Sequence, residues 1–457
     1  MASAFEQLRA HLNVSVLLQA KDLRRRLGFT LVALVVYRLG TFIPIPGIDA
    51  VAFAASFRTQ SGGLLGLFNT FSGGAVERMA IFALNVMPYI SASIIVQLVT
   101  PFYPAWEKLK KEDGEAGRRQ LNQYTRYLTV GLAAFQALGI ALGLQASPGL
   151  VARPGVFFIA STVATLTGGA MLLMWIGEQI TARGVGNGIS LLILAGIVAG
   201  LPQGAIQTWD LVRTGAMSNA TMLVVVVGGA AFCAGIVFVE LSQRRLAVHY
   251  PRRDGGRRAT GGDRSFLPLK INPSGVIPPI FASSLLLLPA TALGVVGQDT
   301  PDWLRATLAQ LQHGRPLFVS IYGVLIVYFT FFYTPIVFNP QDTADNLRKH
   351  GGFLAGVRPG RATADRLEHV LMRITVIGAG YIAFVCLLPE ILISAYGLPF
   401  YLGGSSLLIV VVVTIDLLSQ VQSHLSAHQY AVLIRRTGLR RRPARDNSST
   451  AATRAVP

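Results

Sequence analysis

The chain has 457 residues, of which 52% are hydrophobic and only 14% are charged, and its mean hydropathy is +0.51. A water-soluble globular protein of this size does not normally have such a composition, so these values exclude that class and indicate a protein that folds in lipid. The formal net charge of +18 is compatible with nucleic-acid binding. The distribution of the basic residues along the chain favours membrane topology instead.

Ten apolar stretches have a length that suits a transmembrane helix, for which a bilayer needs about 20 residues. The fifth is short and is bounded by Gly188 and Pro202, which makes it the least typical of a full crossing. Runs such as LVVVVGGAAFCAGIVFV lack the alternation of a transmembrane β-strand. The sequence therefore predicts helices over 27–45, 77–101, 127–146, 156–177, 188–202, 221–240, 273–294, 316–338, 371–392 and 401–421.

The basic residues alternate between successive loops. If the N-terminus is cytoplasmic, the cytoplasmic segments hold 32 of the 40 Lys and Arg residues, and this asymmetry predicts that both termini are cytoplasmic. The first 26 residues are too polar for a cleavable signal, so the first span is expected to stay as an anchor. Cys233 and Cys386 lie inside predicted spans, which argues against a disulfide framework or a cysteine-based metal site.

The ten spans divide into two groups of five. Because five is odd, related halves would lie in the membrane with opposite orientations, as in many transporters. This inference rests on the count, since no residue-level repeat is visible. The predicted organisation is a cytoplasmic N-terminal segment (1–26), an N-terminal half with helices 1–5 (27–202), an outer loop with helix 6 and a basic cytoplasmic loop (203–272), helices 7–10 with a cytoplasmic loop at 339–370 (273–436), and a disordered basic cytoplasmic tail (437–457).

One segment between the first two spans, GGLLGLFNTFSGG, is apolar but too short to cross the bilayer. Glycine pairs flank it on both sides and permit hinge-like backbone conformations. Two interpretations remain open: a re-entrant or plugging segment, which requires burial inside protein or against a cavity, or a surface cap with no mechanistic role.

Residues that could carry chemistry are scarce. Glu178, Asp416 and Arg38 lie near the ends of predicted spans, where snorkelling or capping roles are favoured over ion coupling. The chain contains no HExxH, GxSxG or GxxxxGK[ST] motif, and GVGNG at 184–188 is predicted as a turn because no strand precedes it. The sequence therefore predicts no catalytic residue, no metal site and no cofactor.

Two basic cytoplasmic loops are longer than membrane orientation requires, and they mix arginines with Gly and Pro. One interpretation is that they protrude and dock on an acidic protein or RNA surface, which arginine forks recognise well. The other is that they are solvated loops that only set topology. The docking interpretation rests on Arg244, Arg245, Arg257, Arg258 and Arg358.

Several long, irregular strings resemble the SecY family, the large subunit of the bacterial protein-conducting channel. They occur in the order of that family and cover roughly residues 20–436. The strings are FALNVMPYISASIIVQL, NQYTRYLTV, WIGEQITARGVGNGISLLILAGIVAGLP, SGVIPPIFASSLLLLPAT, FFYTPIVFNPQDTADNL, GVRPG and FYLGGSSLLIVVVV.

The resemblance implies an all-α polytopic protein of the bacterial cytoplasmic membrane, with ten transmembrane helices in two inverted halves around a central pore. Its implied function is to translocate unfolded, signal-bearing polypeptides and to release hydrophobic segments sideways into lipid. It is not expected to be an enzyme, because a partner or the membrane potential supplies the energy. The implied partners are small SecE-like and SecG-like subunits, the motor ATPase SecA, the ribosome, precursor polypeptides and membrane lipids.

Site residues follow from the same resemblance. The narrowest part of the pore maps onto an aliphatic ring: Val86, Ile90, Ile189, Ile193, Ile280 and Ile409. Val86 is smaller than the isoleucine common at that position. The segment at about 63–75 corresponds to a plug, with Leu64, Leu65, Leu67, Phe68 and Phe71 as its apolar residues, and the lateral gate includes Ser91, Gln136 and Asn272. The arginines of the two basic loops correspond to the surface that docks SecA or the ribosome.

Three rival functions are weighed against this one. A secondary transporter of a small solute would share the helix count and inverted halves, but it predicts buried ionisable residues at the midplane. A membrane-embedded enzyme needs a catalytic constellation. An ion channel needs a carbonyl filter or a ring of acidic residues. The sequence offers almost none of these features.

Overall fold

The fold is taken from a computed structural model that describes residues 21–60, 69, 71–111, 114–146, 149–215, 217–250, 264–296, 315–396 and 403–436. It is mostly helical. The helices are α1 (Lys21–Gly40), α2 (Ala50–Gln60), α3 (Met87–Val99), α4 (Pro104–Lys111), α5 (Gly114–Ala146), α6 (Val156–Arg183), α7 (Gly188–Arg213), α8 (Asn219–Leu241), α9 (Ile277–Val296), α10 (Pro316–Val337), α11 (Pro340–Lys349), α12 (Arg361–Tyr396) and α13 (Gly404–Arg436).

Each of the ten predicted spans overlaps one of these helices. Within the described residues, seven helices are long and apolar enough to cross a membrane, namely α5, α6, α7, α8, α10, α12 and α13, and α3 and α9 contain shorter apolar stretches. Helix α1 begins with the charged sequence KDLRRR, which lowers its mean hydropathy. The chain is therefore a multi-pass helical membrane protein, and the count of ten crossings stays a prediction.

The second predicted span, 77–101, is helical only from Met87 onwards. The preceding residues form consecutive turns, and Met79 and Asn85 have positive φ values of 44° and 50°, which an α-helix cannot contain. This irregular backbone is buried, and two of its groups bond to the chain after α1: Ile45 N–H donates to the Met79 carbonyl and Ile81 N–H to the Ile43 carbonyl. The expectation of a continuous helix over 77–101 was wrong for this half.

The fifth predicted span is longer than expected. Helix α7 continues through Pro202 to Arg213, although the sequence analysis ended it at that proline. A proline inside a helix forfeits one backbone hydrogen bond, but membrane helices contain proline more often than soluble ones do. The helix is therefore long enough to cross a bilayer.

The helices pack as two groups, which contact each other in two places in addition to the contact between α7 and α8, which are neighbours in the chain. The first group contains α1, α3, α5, α6 and α7, and the second contains α8, α9, α10, α12 and α13. In one place α9 of the second group packs against α3 and α5 of the first, and we call this contact the seam. In the other, α13 packs against α1 and α7. Loosening the seam therefore does not require the second contact to break.

A three-stranded sheet lies in the two long basic loops, a feature absent from the all-α prediction. Strand β1 (Gln243–His249) pairs antiparallel with β2 (Arg264–Lys270) over its whole length and with β3 (Phe353–Leu354) through its last two residues. The sheet joins the two loops, although more than 80 residues of chain separate β2 from β3. Apolar residues of α11 and α12 pack against it.

Helix α6 crosses the irregular segment at Gly169, and the packing there has a testable consequence. A Cβ at this position would overlap the carbonyl oxygen of Ile81, which is backbone and cannot rotate away. We expect Gly169→Ala to lower the unfolding free energy by about 1 to 3 kcal/mol, the usual cost of overpacking. Thermal denaturation in detergent measures it. Gly168→Ala is the matched control because nothing lies within 4 Å of its Cβ position, and equal midpoints would contradict the packing argument.

Candidate functional site

A single apolar cluster lies where the two groups of helices meet, and it contains the whole predicted ring. Five ring residues are buried members with exposed fractions between 0% and 8%, and Ile189 is partly buried and packs against the cluster. The five buried members are Val86, Ile90, Ile193, Ile280 and Ile409. Residues that are far apart in the chain and belong to both groups are thus in one cluster.

Helix starts position most of these side chains. Val86 is the residue before α3, Ile280 lies in the first turn of α9, and Ile189 and Ile193 lie in the first two turns of α7. The start of α7 is well defined because the side chain of Asn187 accepts hydrogen bonds from the N–H groups of Ile189 and Ser190. The ring is therefore assembled from helix ends, whose positions the adjoining turns control.

All six predicted ring residues are aliphatic. An aliphatic surface offers no strong hydrogen-bonding or ionic partner, and it repels water from a constriction. The chemistry of these six side chains therefore suits an apolar seal better than a site that binds one ligand.

At the seam the polar contacts are sparse. The Ser284 hydroxyl of α9 donates to the Met87 sulfur of α3 at 3.7 Å, a weak hydrogen bond. Ser91 on α3 and Gln136 on α5 are both buried, and the Ser91 Oγ and both polar atoms of the Gln136 amide have no hydrogen-bond partner among the described residues. Buried polar groups of this kind are costly in an apolar environment and gain free energy when a partner arrives.

Asn272 lies between β2 and α9, and its hydrogen bonds stay inside the second group. Its Nδ2 donates to Glu240 Oε1 of α8 at 2.8 Å and to the Gly275 carbonyl at 3.1 Å, while its Oδ1 accepts from Ser274 and from the Gly275 N–H. Glu240 is buried and was missed by the sequence analysis. Glu240 is an acidic residue at the end of a predicted span, and this position is a sequence signal that could have identified it.

The described part of the predicted plug segment is held by side chains of α1 and of the irregular segment before α3. Three consecutive carbonyls accept hydrogen bonds: Phe71 from Asn85 Nδ2 at 2.7 Å, Ser72 from the Tyr37 hydroxyl at 3.3 Å, and Gly73 from Arg38 Nη1 at 2.6 Å.

Phe71 itself is a buried member of the apolar cluster. The other predicted plug residues, Leu64, Leu65, Leu67 and Phe68, lie outside the described residues. Asn85 was missed by the sequence analysis, because only the backbone conformation shows why an asparagine is needed there.

The other charged residues near span ends are occupied by structural contacts. Glu178 on α6 forms a two-point ion pair with Arg126 on α5, with distances of 3.0 and 2.7 Å. Asp416 on α13 lies 3.7 Å from Lys270 of β2. These contacts join neighbouring helices and strands, in agreement with the structural roles expected from the sequence.

Arginines of both basic loops are exposed. Arg244 and Arg245 lie on β1, and Arg358 lies four residues after β3. The carbonyl of Arg358 accepts a hydrogen bond from the Thr363 hydroxyl at 2.9 Å, which fixes the backbone before α12. Arg257 and Arg258 lie outside the described residues. The sheet therefore connects the two predicted docking loops into one unit.

Known proteins match this chain over nearly its whole length. The translocase subunit SecY of Escherichia coli K12 is 50% identical over 423 residues, covering 92% of this chain and 95% of the relative, and that of Vibrio cholerae is 50% identical over 425 residues with the same coverage.

Among solved structures, a protein-conducting channel has a TM-score of 0.68 at 16% identity and covers 90% of this chain and 95% of the other. Sec61 in a canine ribosome–channel complex has a TM-score of 0.64, with the same identity and coverage. These likenesses show a shared fold, and the proteins named here give no support to a small-solute transporter. The SecY family model matches residues 80–418, and the chain belongs to the SecY family.

Proposed function

We propose that this chain is the channel subunit of a protein translocase, which passes unfolded polypeptides across a bacterial cytoplasmic membrane and releases hydrophobic segments into the lipid. The observation that carries the proposal is the extent of the similarity: half of the residues are identical to translocase subunits over nearly the full length of both chains. The apolar cluster between the two helix groups supplies a physical means for this function.

The topology follows from the charge distribution. Both termini and the loops with the three-stranded sheet lie on the cytoplasmic side, where positive charge is retained. Residues 27–202 form the first half of the channel, 203–272 connect it through helix α8 and the first basic loop, and 273–436 form the rest of the second half. The segments 1–26 and 437–457 are cytoplasmic.

The six aliphatic residues form the narrowest ring of the pore. A translocated chain carries every type of side chain, so a charged or hydrogen-bonding wall would bind some sequences and stall them. Aliphatic side chains yield to any of them, and in the resting state they exclude water and ions by dewetting. Five of the six lie in one buried apolar cluster and the sixth, Ile189, packs against it, which supports this role.

The ring assignment is tested by the ion permeability of variants. Ile189→Gly and Ile409→Gly should each raise the resting ion conductance of vesicles several-fold, because a gap lined by backbone admits water. Flux of a halide from loaded vesicles measures it. Ile377→Gly on α12 is the control, since that side chain is 64% exposed on the outside of the fold. Conductance equal to this control in both ring variants would contradict the assignment.

The segment at about 63–75 acts as the plug that rests below the ring. Phe71 packs into the apolar cluster, and the next two residues lie close to α1. Three hydrogen bonds to consecutive carbonyls hold residues 71–73, which supports a fixed C-terminal end of the plug.

Asn85 tests the fixed end of the plug. We expect Asn85→Gly to keep the positive φ but to lose the hydrogen bond to the Phe71 carbonyl, a buried contact worth about 1 to 2 kcal/mol. A cysteine placed at Ser72, which is fully buried, should then react with an aqueous maleimide about tenfold faster. Asn85→Ala adds backbone strain and should react faster still. Unchanged reactivity in both variants would show that Asn85 does not hold the segment.

The seam serves as the lateral gate. Its faces are α3 and α5 on one side and α9 with its neighbour α10 on the other, and α9 contacts both α3 and α5. Ser91 and Gln136, on the two first-group helices of the seam, carry buried polar atoms without partners among the described residues, which supports a closed state that opening can relieve. Asn272 acts at one end of the same gate by holding the start of α9 to α8.

The joined basic loops form the docking surface for a ribosome or for the SecA motor, which supplies the energy. The solved Sec61 complex includes a ribosome. Exposed Arg244, Arg245 and Arg358 offer guanidinium groups to phosphates or carboxylates. Arg257 and Arg258 belong to the same surface by sequence. Small SecE-like and SecG-like subunits complete the assembly.

The docking surface is tested by charge reversal. Arg358→Glu should reduce motor-driven translocation at least several-fold, because an acidic partner surface is then repelled, while helix content and resting conductance stay unchanged. Arg118→Glu, an exposed arginine near the start of α5, is the control for loss of positive charge. If Arg358→Glu supports wild-type translocation, the loop does not dock the motor.

The function itself is tested by reconstitution with SecE-like and SecA-like partners. Vesicles that contain the complete complex should protect a signal-bearing precursor from protease only when ATP is present. A precursor without its signal, and vesicles without this chain, are the controls. Failure to protect the precursor in active vesicles would overturn the proposed function.

A further inference from the structure

The turn between α6 and α7, residues 184–188, is bonded by side chains from three helices. Val185 N–H donates to Thr30 Oγ1 of α1 at 3.2 Å, Gly186 N–H to Gln420 Oε1 of α13 at 2.8 Å, and Gly188 N–H to Thr181 Oγ1 of α6 at 2.8 Å. With the Asn187 cap at the start of α7, most N–H groups of the turn have a side-chain acceptor. A loop that only reverses the chain direction does not need these partners.

Two positions of the turn require glycine, one for its backbone conformation and one for its close packing. Gly186 has φ +91°, a conformation that side chains rarely adopt, and it presents its N–H to Gln420. A Cβ at Gly188 would overlap the Gly177 carbonyl of α6. The first turn of α7 therefore lies directly against α6, and the ring residue Ile189 follows immediately.

An apolar contact supports the same junction. Val185 is buried in a small cluster with Leu23 of α1 and with Val421 and Leu425 of α13. The turn is thus inserted between a helix of the first group and a helix of the second. Together with Ser284–Met87 at the seam, Gly186–Gln420 is one of two side-chain hydrogen bonds that join the groups in the described structure.

Gln420 and Ile409 lie on the same helix. They are separated by eleven residues, about 16 Å along an α-helix. Gln420 therefore does not touch the ring, and any effect on it must pass through α13 as a rigid element. On the other side of the contact, Gly186 is only three residues from Ile189 in the chain.

We infer that Gln420 is a positioning residue of the channel: by accepting the Gly186 N–H it fixes the register of α13 against α7 and so holds Ile409 opposite Ile189 and Ile193. The contact lies away from the seam, so it acts as a pivot that stays closed while the seam opens. This inference rests on the proposed pore ring.

The pivot is tested with a conservative pair of variants in the complete reconstituted complex. Gln420→Leu keeps the approximate size of the side chain but removes the acceptor, whereas Gln420→Glu keeps an acceptor oxygen. The side chain is exposed, so neither change leaves a cavity. We expect Gln420→Leu to raise resting halide flux about fivefold, the factor that matches loss of one hydrogen bond, and Gln420→Glu to restore the wild-type flux.

Ser419→Ala, an exposed neighbour on the same helix, is the control for substitution at this level. Gln420→Leu should also pass a precursor with a defective signal, because a ring held out of register opens more easily. If Gln420→Leu is unstable in the membrane, Gln420→Met replaces it, and faster hydrogen exchange of the Gly186 amide measures the lost bond directly.

Flux and signal requirement equal to Ser419→Ala in a stable Gln420→Leu protein would overturn the inference, as would equal defects in the Leu and Glu variants. The Ile189→Gly variant distinguishes an incorrect ring assignment from an incorrect role for Gln420. If Ile189→Gly raises the resting halide flux and Gln420→Leu does not, the ring assignment is retained and only the role of Gln420 is wrong. If neither variant raises the resting halide flux, the ring assignment itself is wrong.

Discussion

Every backbone N–H and C=O group at membrane depth must find its partner inside the protein, because lipid supplies none. The helices meet this demand by themselves, so the informative places are those where the backbone leaves the helix. Two such places among the described residues are the irregular segment before α3 and the turn before α7. In both, side chains from neighbouring helices supply the missing partners, and in both the next residues of the chain belong to the apolar ring.

Polar and apolar contacts have different roles in this arrangement. Polar side chains of Asn85, Thr30 and Thr181 accept hydrogen bonds from backbone N–H groups at or just before the predicted ring residues. The ring itself and the contact between the two groups of helices are mainly apolar. Apolar contacts are non-directional and lose little when one surface is exchanged for another, such as lipid or an apolar signal segment. Fixed backbone next to the predicted ring residues and a mainly apolar interface are both features that suit the proposed ring and lateral gate.

The charged residues discussed above lie outside the interface between the two groups of helices. The Arg126–Glu178 and Lys270–Asp416 pairs join neighbouring elements within one group of helices, and the exposed arginines lie on the sheet and its flanks. A charge in the predicted ring would bind passing side chains, whereas charges on the basic loops suit orientation of the protein in the membrane and the proposed docking of partners. The scarcity of charge in the spans and its abundance in the loops therefore have one physical explanation.

Sequence alone determined that the chain folds in lipid and, through irregular motifs, which family it belongs to, and it predicts the number of apolar spans and the sidedness of the loops. These properties follow from residue type and spacing, because hydropathy and charge act on each segment separately. Tertiary structure decided where α3 begins, how far α7 continues, that two distant basic loops share a sheet, and that Asn85, Glu240 and Gln420 each hold a neighbouring element. Such contacts join residues far apart in the chain, and a side chain's polarity does not reveal its partner before the fold has brought the two together.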